Sequence, residues 1–297
     1  MSGITLEVTG EQQQLKAIRE GHLGEFGGHR PVVERVRAES LVIPLVRAGA
    51  VIALAVLCSL AGCQESGFDE ARETQRPLKV QHAMNMLEGT KVPGVAQRPM
   101  TLDPSALGDT RALGVTPLRA ALAGGIVPPF LREEARGVEI VPPLTDLDLA
   151  AVEAAEPDLI LGAKEFDGEL YDDLSRIAPT VMTEGQDWKL NLRLHGEALG
   201  RTNDAERLLI DWDNRVARVK RLLGDRDLSV ELVPSPPDSR EPDTGPDSFA
   251  RTLVDELGIG LGRDGAEVLR VRAGQEWVGL GGLAGARDAL ADVARAL

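Results

Sequence analysis

Apolar positions follow two alternating patterns from about residue 78 onward. Short apolar runs bounded by turn residues are typical of buried strands, and apolar residues that recur every three or four positions are typical of amphipathic helices. Strands are predicted at 99–102, 118–122, 138–141, 158–161, 180–182, 227–233 and 267–271, and helices at 105–113, 148–155, 168–177, 190–199, 204–223, 248–257 and 283–297. Strands and helices that alternate at this spacing predict an α/β fold with a largely parallel sheet.

The most regular helical pattern lies at 204–223. Its apolar stripe consists of Ala205, Leu208, Leu209, Trp212, Val216, Val219 and Leu223. This spacing predicts one amphipathic helix of about 20 residues, roughly 30 Å long, with Trp212 in the core. Asn203 occupies a predicted N-cap position, with Glu206 three residues later, which is a loose form of the capping box.

A different apolar segment lies near the N-terminus. Residues 48–60 carry no charge, follow Arg47, and end in Leu60-Ala61-Gly62-Cys63. A positive flank, an apolar stretch and small residues before a cleavage point are the anatomy of an export signal. A membrane-spanning helix needs about 20 apolar residues, and Arg47 interrupts an extension toward Leu41, so a permanent single-pass anchor is the weaker alternative.

The ending Leu60-Ala61-Gly62-Cys63 resembles the lipobox of bacterial lipoproteins. In those proteins the cysteine is lipid-modified and becomes the new N-terminus. The resemblance implies lipidation of Cys63 and anchoring to the outer face of the cytoplasmic membrane. The alternative is an ordinary apolar helix end with a buried cysteine. We therefore assign 1–62 to an N-terminal extension plus signal peptide and 63–77 to a flexible tether, with the true translational start left open.

Composition narrows the possible partners. The chain has 33 Lys and Arg against 47 Asp and Glu, for a net charge of −14, which makes nucleic acid a poor partner. Its only cysteines are Cys58 and Cys63, so no disulfide is expected in the exported part.

Several segments, in this order, resemble the helical-backbone (class III) substrate-binding proteins of ABC transporters. These proteins capture ferric siderophores, haem and cobalamin. The segments are Lys91-Val92-Pro93, Arg98-Pro99-Met100-Thr101-Leu102-Asp103, Ala112-Leu113-Gly114-Val115-Thr116-Pro117, Glu156-Pro157-Asp158-Leu159-Ile160-Leu161 and the stretch from Tyr171 to Val181. The resemblance covers about Val80 to Leu223 well and the remainder weakly.

This resemblance implies a periplasmic-binding-protein-like α/β fold of two lobes joined by one long helix, with the second lobe reduced. The lobes are expected at 78–202 and 224–297, with the joining helix at 203–223. It further implies a monomer that binds an iron chelate, such as a ferric siderophore, in the cleft between the lobes. An ABC permease and its ATPase would be the partners, and no resident cofactor is implied.

A ferric siderophore is large and often anionic, so its receptor needs cationic and flat side chains. The candidates in the loops of the two lobes are Lys164, Arg132, Arg136, Trp188, Arg240, Arg272 and Trp277. The alternative for each arginine is a solvated surface charge, and for each tryptophan a place in the core. The two histidines of the exported part, His82 and His195, stand far apart, so neither direct capture of a metal ion nor an enzymatic triad is expected.

The sequence departs from the family at two places. A docking glutamate for the permease is replaced by Ala150, with Asp148 and Glu153 as substitutes. The span from Leu257 to Trp277 is too short for the strand and helix region, with a second docking glutamate, that the family carries there, which implies a reduced second lobe. An alternative function therefore stays open, that of a lipoprotein which keeps the fold but serves as a surface interaction or accessory module.

Overall fold

The first sheet consists of five short parallel strands in the order β5-β4-β3-β6-β7. This computed structural model describes residues 76–143, 149–235, 242–246, 248–262, 264–278 and 281–297. The strands are β3 (Pro99–Thr101), β4 (Arg119–Ala121), β5 (Glu139–Val141), β6 (Leu159–Ala163) and β7 (Thr180–Thr183). Every residue of β6 is buried, which explains its uninterrupted run of apolar and small residues, because parallel sheets are covered on both faces. The predicted α/β fold is confirmed.

Helices and one hairpin surround this sheet. The helices are α1 (Pro104–Ala112), α2 (Leu149–Ala154), α3 (Lys164–Asp167), α4 (Tyr171–Ile177) and α5 (Trp188–Ala198). Helix α1 begins where Asp103 accepts a 2.9 Å hydrogen bond from the Ala106 N–H, which satisfies one of the free donors of the first turn. An antiparallel hairpin, β1 (Leu78–His82) and β2 (Asn85–Val92), precedes the sheet and was not among the predicted elements.

The long helix is α6 (Thr202–Leu223), and its predicted apolar stripe is buried except for Leu208, which is half-buried. The predicted capping box is wrong, because the helix begins before Asn203 and its N-cap residue, Arg201, makes no side-chain cap. The start is fixed instead by the tight turn at Gly200, whose φ is +67° and where an added Cβ would lie 2.1 Å from the Gly94 carbonyl oxygen. Glu206 pairs with Arg193 on α5 at 2.8 Å.

The second sheet has three parallel strands in the order β10-β8-β9. These are β8 (Leu228–Pro234), β9 (Gly260–Leu261) and β10 (Glu267–Ala273), accompanied by α7 (Phe249–Leu257) and the final helix α8 (Gly282–Ala296). The short strand β9 was not predicted. The small sheet agrees with a reduced second half.

Both sheets share one hydrophobic core. Residues 74–297 form one compact unit, and a single buried cluster joins Leu161 of β6, Trp212 of α6, Val230 of β8 and Val293 of α8. The lobe boundaries drawn at 78, 203 and 224 stay predictions. Cys63 and the apolar run before it lie outside the described residues. No helix in the described part of the chain combines the length and apolar character needed to cross a membrane.

A buried carboxylate connects three helices at the centre of this unit. Asp109 on α1 accepts a 3.0 Å hydrogen bond from the Leu283 N–H in the first turn of α8, and its other oxygen lies 2.8 Å from His195 Nδ1 on α5. Both side chains are fully buried. Because a buried polar group without a partner costs about 1–3 kcal/mol, this arrangement ties the C-terminal helix to the first sheet's helices.

We expect Asp109→Ala to lower the free energy of unfolding by about 3 kcal/mol, because it strands the His195 ring nitrogen and the Leu283 N–H without partners. Urea denaturation followed by circular dichroism measures the change. Asp225→Ala is the matched control, since Asp225 is exposed, and it should shift stability by no more than about 0.5 kcal/mol. Equal effects for the two variants would contradict the structural role of Asp109.

Candidate ligand-binding cleft

A candidate site is a cleft of about 860 Å³ between elements of the two sheets. Its walls are the loop after β4, the C-terminal ends of β8 and β10, and the last turns of α8. Ligands of open α/β sheets bind at the carboxyl ends of parallel strands, and a drug-sized ligand fits a cavity of roughly 300–1,000 Å³. The position and size of the cleft therefore suit a small-molecule ligand.

One wall is a stiff apolar lip built by the loop that follows β4. The chain turns at Gly124 and Gly125, whose φ angles are +63° and +65°, and Pro129 then begins a short 3-10 turn. The residues that this loop presents to the cleft are Ile126, Val127, Pro128, Pro129 and Arg132. Two consecutive prolines fix their own φ angles, so this lip needs little ordering when a ligand arrives.

The opposite walls carry most of the charge. Arg270 and Arg272 extend from the same face of β10, and Arg295 extends from α8. Arg270 pairs with Glu231 at 2.9 Å, and Arg295 pairs with Asp292. The side chains of Arg132 and Arg272 make no ion pair or hydrogen bond with any residue that the structure describes. The cleft thus holds two guanidinium groups without a partner in the described part of a protein of net charge −14.

A carboxyl pair forms the floor of the cleft. Glu276 accepts a 2.7 Å hydrogen bond from the Gly274 N–H, and Asp292 accepts a 3.0 Å bond from Trp277 Nε1. Burial, followed by a side-chain hydrogen bond and charge repulsion from Asp292, raises the pKa of Glu276 to about 7. Near neutral pH the two carboxyl groups therefore carry less than two negative charges, and arginine dominates the cleft.

The structure brings together two of the predicted ligand residues. Arg132 and Arg272 both line the cleft, one from each half of the molecule. Lys164 and Arg136 do not line it: Lys164 pairs with Glu184 at 2.5 Å beyond β6, and Arg136 is exposed and pairs with Glu133 at 2.8 Å. The roles of Lys164 and Arg136 in ligand binding stay predictions. Arg240 lies outside the described residues.

Both predicted stacking tryptophans are in the core, which corrects their assignment to the ligand. Trp188 begins α5 and is 4% exposed, with its ring edge-on to Trp212 at a centroid distance of 4.9 Å. Trp277 is 1% exposed and contacts Phe249 at 6.3 Å. Each of the two rings packs edge-on against another buried aromatic ring. Trp212 is in the core, as predicted.

Four charged residues of the cleft were not predicted, namely Arg270, Glu276, Asp292 and Arg295. Strand alternation would have found Arg270, since it lies two positions from Arg272 on the exposed face of β10. The three-residue spacing of Asp292 and Arg295 likewise places them together on α8. Nothing in sequence spacing indicates that Glu276 and Asp292 meet. In the described part of the chain, no group of three or more His, Cys, Asp or Glu side chains is placed to hold a metal ion.

Comparisons with known proteins show similarity to the periplasmic binding protein family. A profile of the periplasmic binding protein family matches residues 102–259. "Probable siderophore-binding lipoprotein YfiY" of Bacillus subtilis (strain 168) is 28% identical over 208 residues, covering 69% of this chain and 63% of that protein. The "Achromobactin-binding periplasmic protein" of Dickeya dadantii (strain 3937) is 31% identical over 175 residues, covering 55% of this chain and 56% of that protein.

A solved structure agrees with these sequences. Staphylococcus aureus SirA complexed with staphyloferrin B matches with a TM-score of 0.50 and 27% identity, covering 63% of this chain and 65% of SirA. The chain thus spans less than two thirds of the length of the relatives it matches.

We expect the Glu276 carboxyl group to titrate near pH 7 in the ligand-free protein. Because its pKa is raised, the group is neutral below that pH and becomes negative above it, so the affinity of the cleft for anions should fall as pH rises through 7. The charged groups that share the cleft with it are Arg132, Arg270, Arg272, Asp292 and Arg295, and Asp288 lies near Asp292. Carbon-13 NMR of labelled glutamate measures the titration, with Glu276→Gln to assign the signal. A midpoint near the ordinary value of 4.5 would contradict the prediction.

Proposed function

The chain belongs to the periplasmic binding protein family, and we propose that it is an extracytoplasmic lipoprotein that binds a ferric siderophore, or a similar iron chelate. The ligand occupies the cleft between the two sheets and is delivered to an ABC importer. The observation that carries this proposal is the cleft itself, where Arg132 and Arg272 face a common space at the carboxyl ends of the strands.

The charge of the cleft supports an anionic ligand. A protein with 47 acidic and 33 basic residues repels anions over most of its surface. A local concentration of guanidinium groups beside low-dielectric walls focuses the field and raises the local concentration of anions. Because the chelator itself surrounds the iron, the protein needs no metal ligands of its own.

The relatives support the same class of ligand. The names of the B. subtilis and D. dadantii proteins describe binding of a siderophore and of achromobactin, and SirA holds staphyloferrin B. Transfer of this activity is a proposal, because the chain matches less than two thirds of the length of each of them. The B. subtilis relative is named a lipoprotein, which agrees with a lipid anchor at Cys63.

Docking to a permease belongs to the same proposal. The position expected for a docking glutamate is Ala150, on the exposed face of α2. Glu153, one turn further along α2, is exposed and has no ion-pair partner among the described residues. We assign the docking charge to Glu153.

An accessory lipoprotein without transport is the second candidate. Two observations favour it: the three-stranded second sheet offers less cleft wall than a full lobe, and Ala150 carries no charge. Permease and ATPase genes beside this gene would favour transport, and their absence would favour the accessory function.

We expect purified protein to change its tryptophan fluorescence when a ferric siderophore binds, because Trp277 is hydrogen-bonded to the cleft residue Asp292. Titration with ferric staphyloferrin B and ferric achromobactin, together with haem and cobalamin, checks this. Trp277→Phe should remove most of the change, whereas Trp188→Phe, a matched variant outside the cleft lining, should retain it. If no member of the panel alters the emission, ligand capture is refuted.

We expect Cys63→Ala to abolish lipid labelling of the chain in a bacterial host. Cys58→Ala should leave labelling intact, since Cys58 lies within the apolar stretch and not at the cleavage point. Incorporation of a labelled fatty acid, followed by membrane fractionation, gives the readout. Equal labelling of both variants would remove Cys63 as the anchor.

A further inference from the structure

We propose that the cleft selects an iron(III) chelate with free carboxylate groups, in preference to catecholate chelates, haem or cobalamin. This inference rests on the proposed function and narrows it from iron chelates in general to one chemical class. It follows from what lines the cleft and from where the aromatic side chains lie.

The first step is the chemistry of the unpaired cations. The side chains of Arg132 and Arg272 both line the cleft, and neither has a partner among the described residues. A guanidinium presents parallel N–H donors whose spacing matches the two oxygens of a carboxylate, and such paired, charge-assisted bonds are among the strongest in proteins. Their positions on the loop after β4 and on β10 allow one chelate to be held from two sides.

The second step is the position of the aromatic side chains. Catecholates, haem and corrin rings present large flat faces, which proteins hold by stacking aromatic rings against them. No described aromatic side chain lines the cleft. Trp188, Trp212 and Trp277 are buried in the core, and the exposed Phe166 lies on α3, away from the cleft lining. The loop residues 144–148 and 236–241, which the structure does not describe, contain no aromatic residue in the sequence.

The third step concerns haem, whose iron needs an axial ligand from the protein. Haem iron in proteins takes an axial ligand such as His, Cys, Met or Tyr. His82 and His195 are 2% and 0% exposed, and Tyr171 packs against the His82 ring. No residue of these four types is among those lining the cleft. A haem in this cleft would therefore lack both a stacking surface and an axial ligand from the described residues.

The acidic residues of the cleft are compatible with a carboxylate ligand. Asp292 is already engaged by Arg295 and by Trp277 Nε1, and the Glu276 side chain is hydrogen-bonded to Asp292. Their negative charge is thus partly neutralised within the protein, whereas Arg132 and Arg272 are not. The apolar lip at Ile126 and Pro128 can cover the aliphatic part of a chelate and exclude water from the ion pairs.

The test is calorimetric titration at constant pH with three probes: ferric citrate, the ferric complex of 2,3-dihydroxybenzoate, and haem. We expect ferric citrate to bind more tightly than the other two. Arg132→Gln and Arg272→Gln should each weaken its binding by about tenfold or more, because each removes a charge-assisted pair. Arg136→Gln is the matched control, since Arg136 is an exposed arginine outside the cleft, and it should change affinity less than about twofold.

The outcomes separate this inference from the proposed function. Tighter binding of the catecholate complex or of haem would overturn the carboxylate preference while leaving iron-chelate capture standing. Binding of ferric citrate that is unaffected by both cleft variants would overturn the roles of Arg132 and Arg272. Equal affinity for citrate without iron would reduce the site to a general anion site and overturn selection of the chelate. If neither these probes nor the ferric siderophores bind, the proposed function fails as well.

Discussion

The Asp109 carboxylate is the contact on which the arrangement of the two halves depends. It lies in α1, directly after the first strand of the first sheet, yet it holds the first turn of α8, the last helix of the chain. Helix α8 also packs against the second sheet through the shared core. A buried carboxylate needs partners for both oxygens, and here His195 and the Leu283 N–H supply them. The N-terminal end of α8 is thereby fixed relative to the first sheet.

The fixed position of the first turn of α8 also fixes residues of the cleft, because cleft residues lie on both sides of that turn in the sequence. Before it, the short turn at 275–278 carries Glu276 into the cleft and Trp277 into the core. Further along α8, Asp292 accepts the Trp277 indole N–H, so the helix and the turn are joined a second time. A helix held at its first turn and again near its last turn can tilt very little. The floor of the cleft is therefore part of the hydrophobic core, and its charges are placed before any ligand arrives.

Sequence patterns predicted the helices and strands whose apolar residues recur at a regular spacing. They missed contacts between residues that are far apart in the sequence. The stripe of α6 and the apolar run of β6 follow from their spacing, because each pattern matches the geometry of one element. Trp188 was misassigned, since a lone tryptophan between polar residues gives the same pattern whether it faces solvent or fills the core. The contact between Glu276 and Asp292 joins residues on two elements whose relative position only the folded chain defines. Charge composition indicated an acidic protein, but it gave no sign that arginines from both halves share one cleft.

The reduced second sheet changes how this cleft can hold a ligand. A full lobe encloses its ligand on several sides, and much of the affinity then comes from buried surface and excluded water. Here the second half contributes the ends of β8 and β10 and one face of α8. Because the cleft has less wall, its affinity for a ligand has to come from a few strong contacts. The protein groups that make these contacts should lose little conformational entropy on binding. Arg132 and Arg272, whose side chains have no partner among the described residues, meet that requirement beside the proline-stiffened lip, because charge-assisted pairs are strong per contact and the lip is already fixed. Specificity in such a cleft depends more on the charges the ligand carries than on its shape.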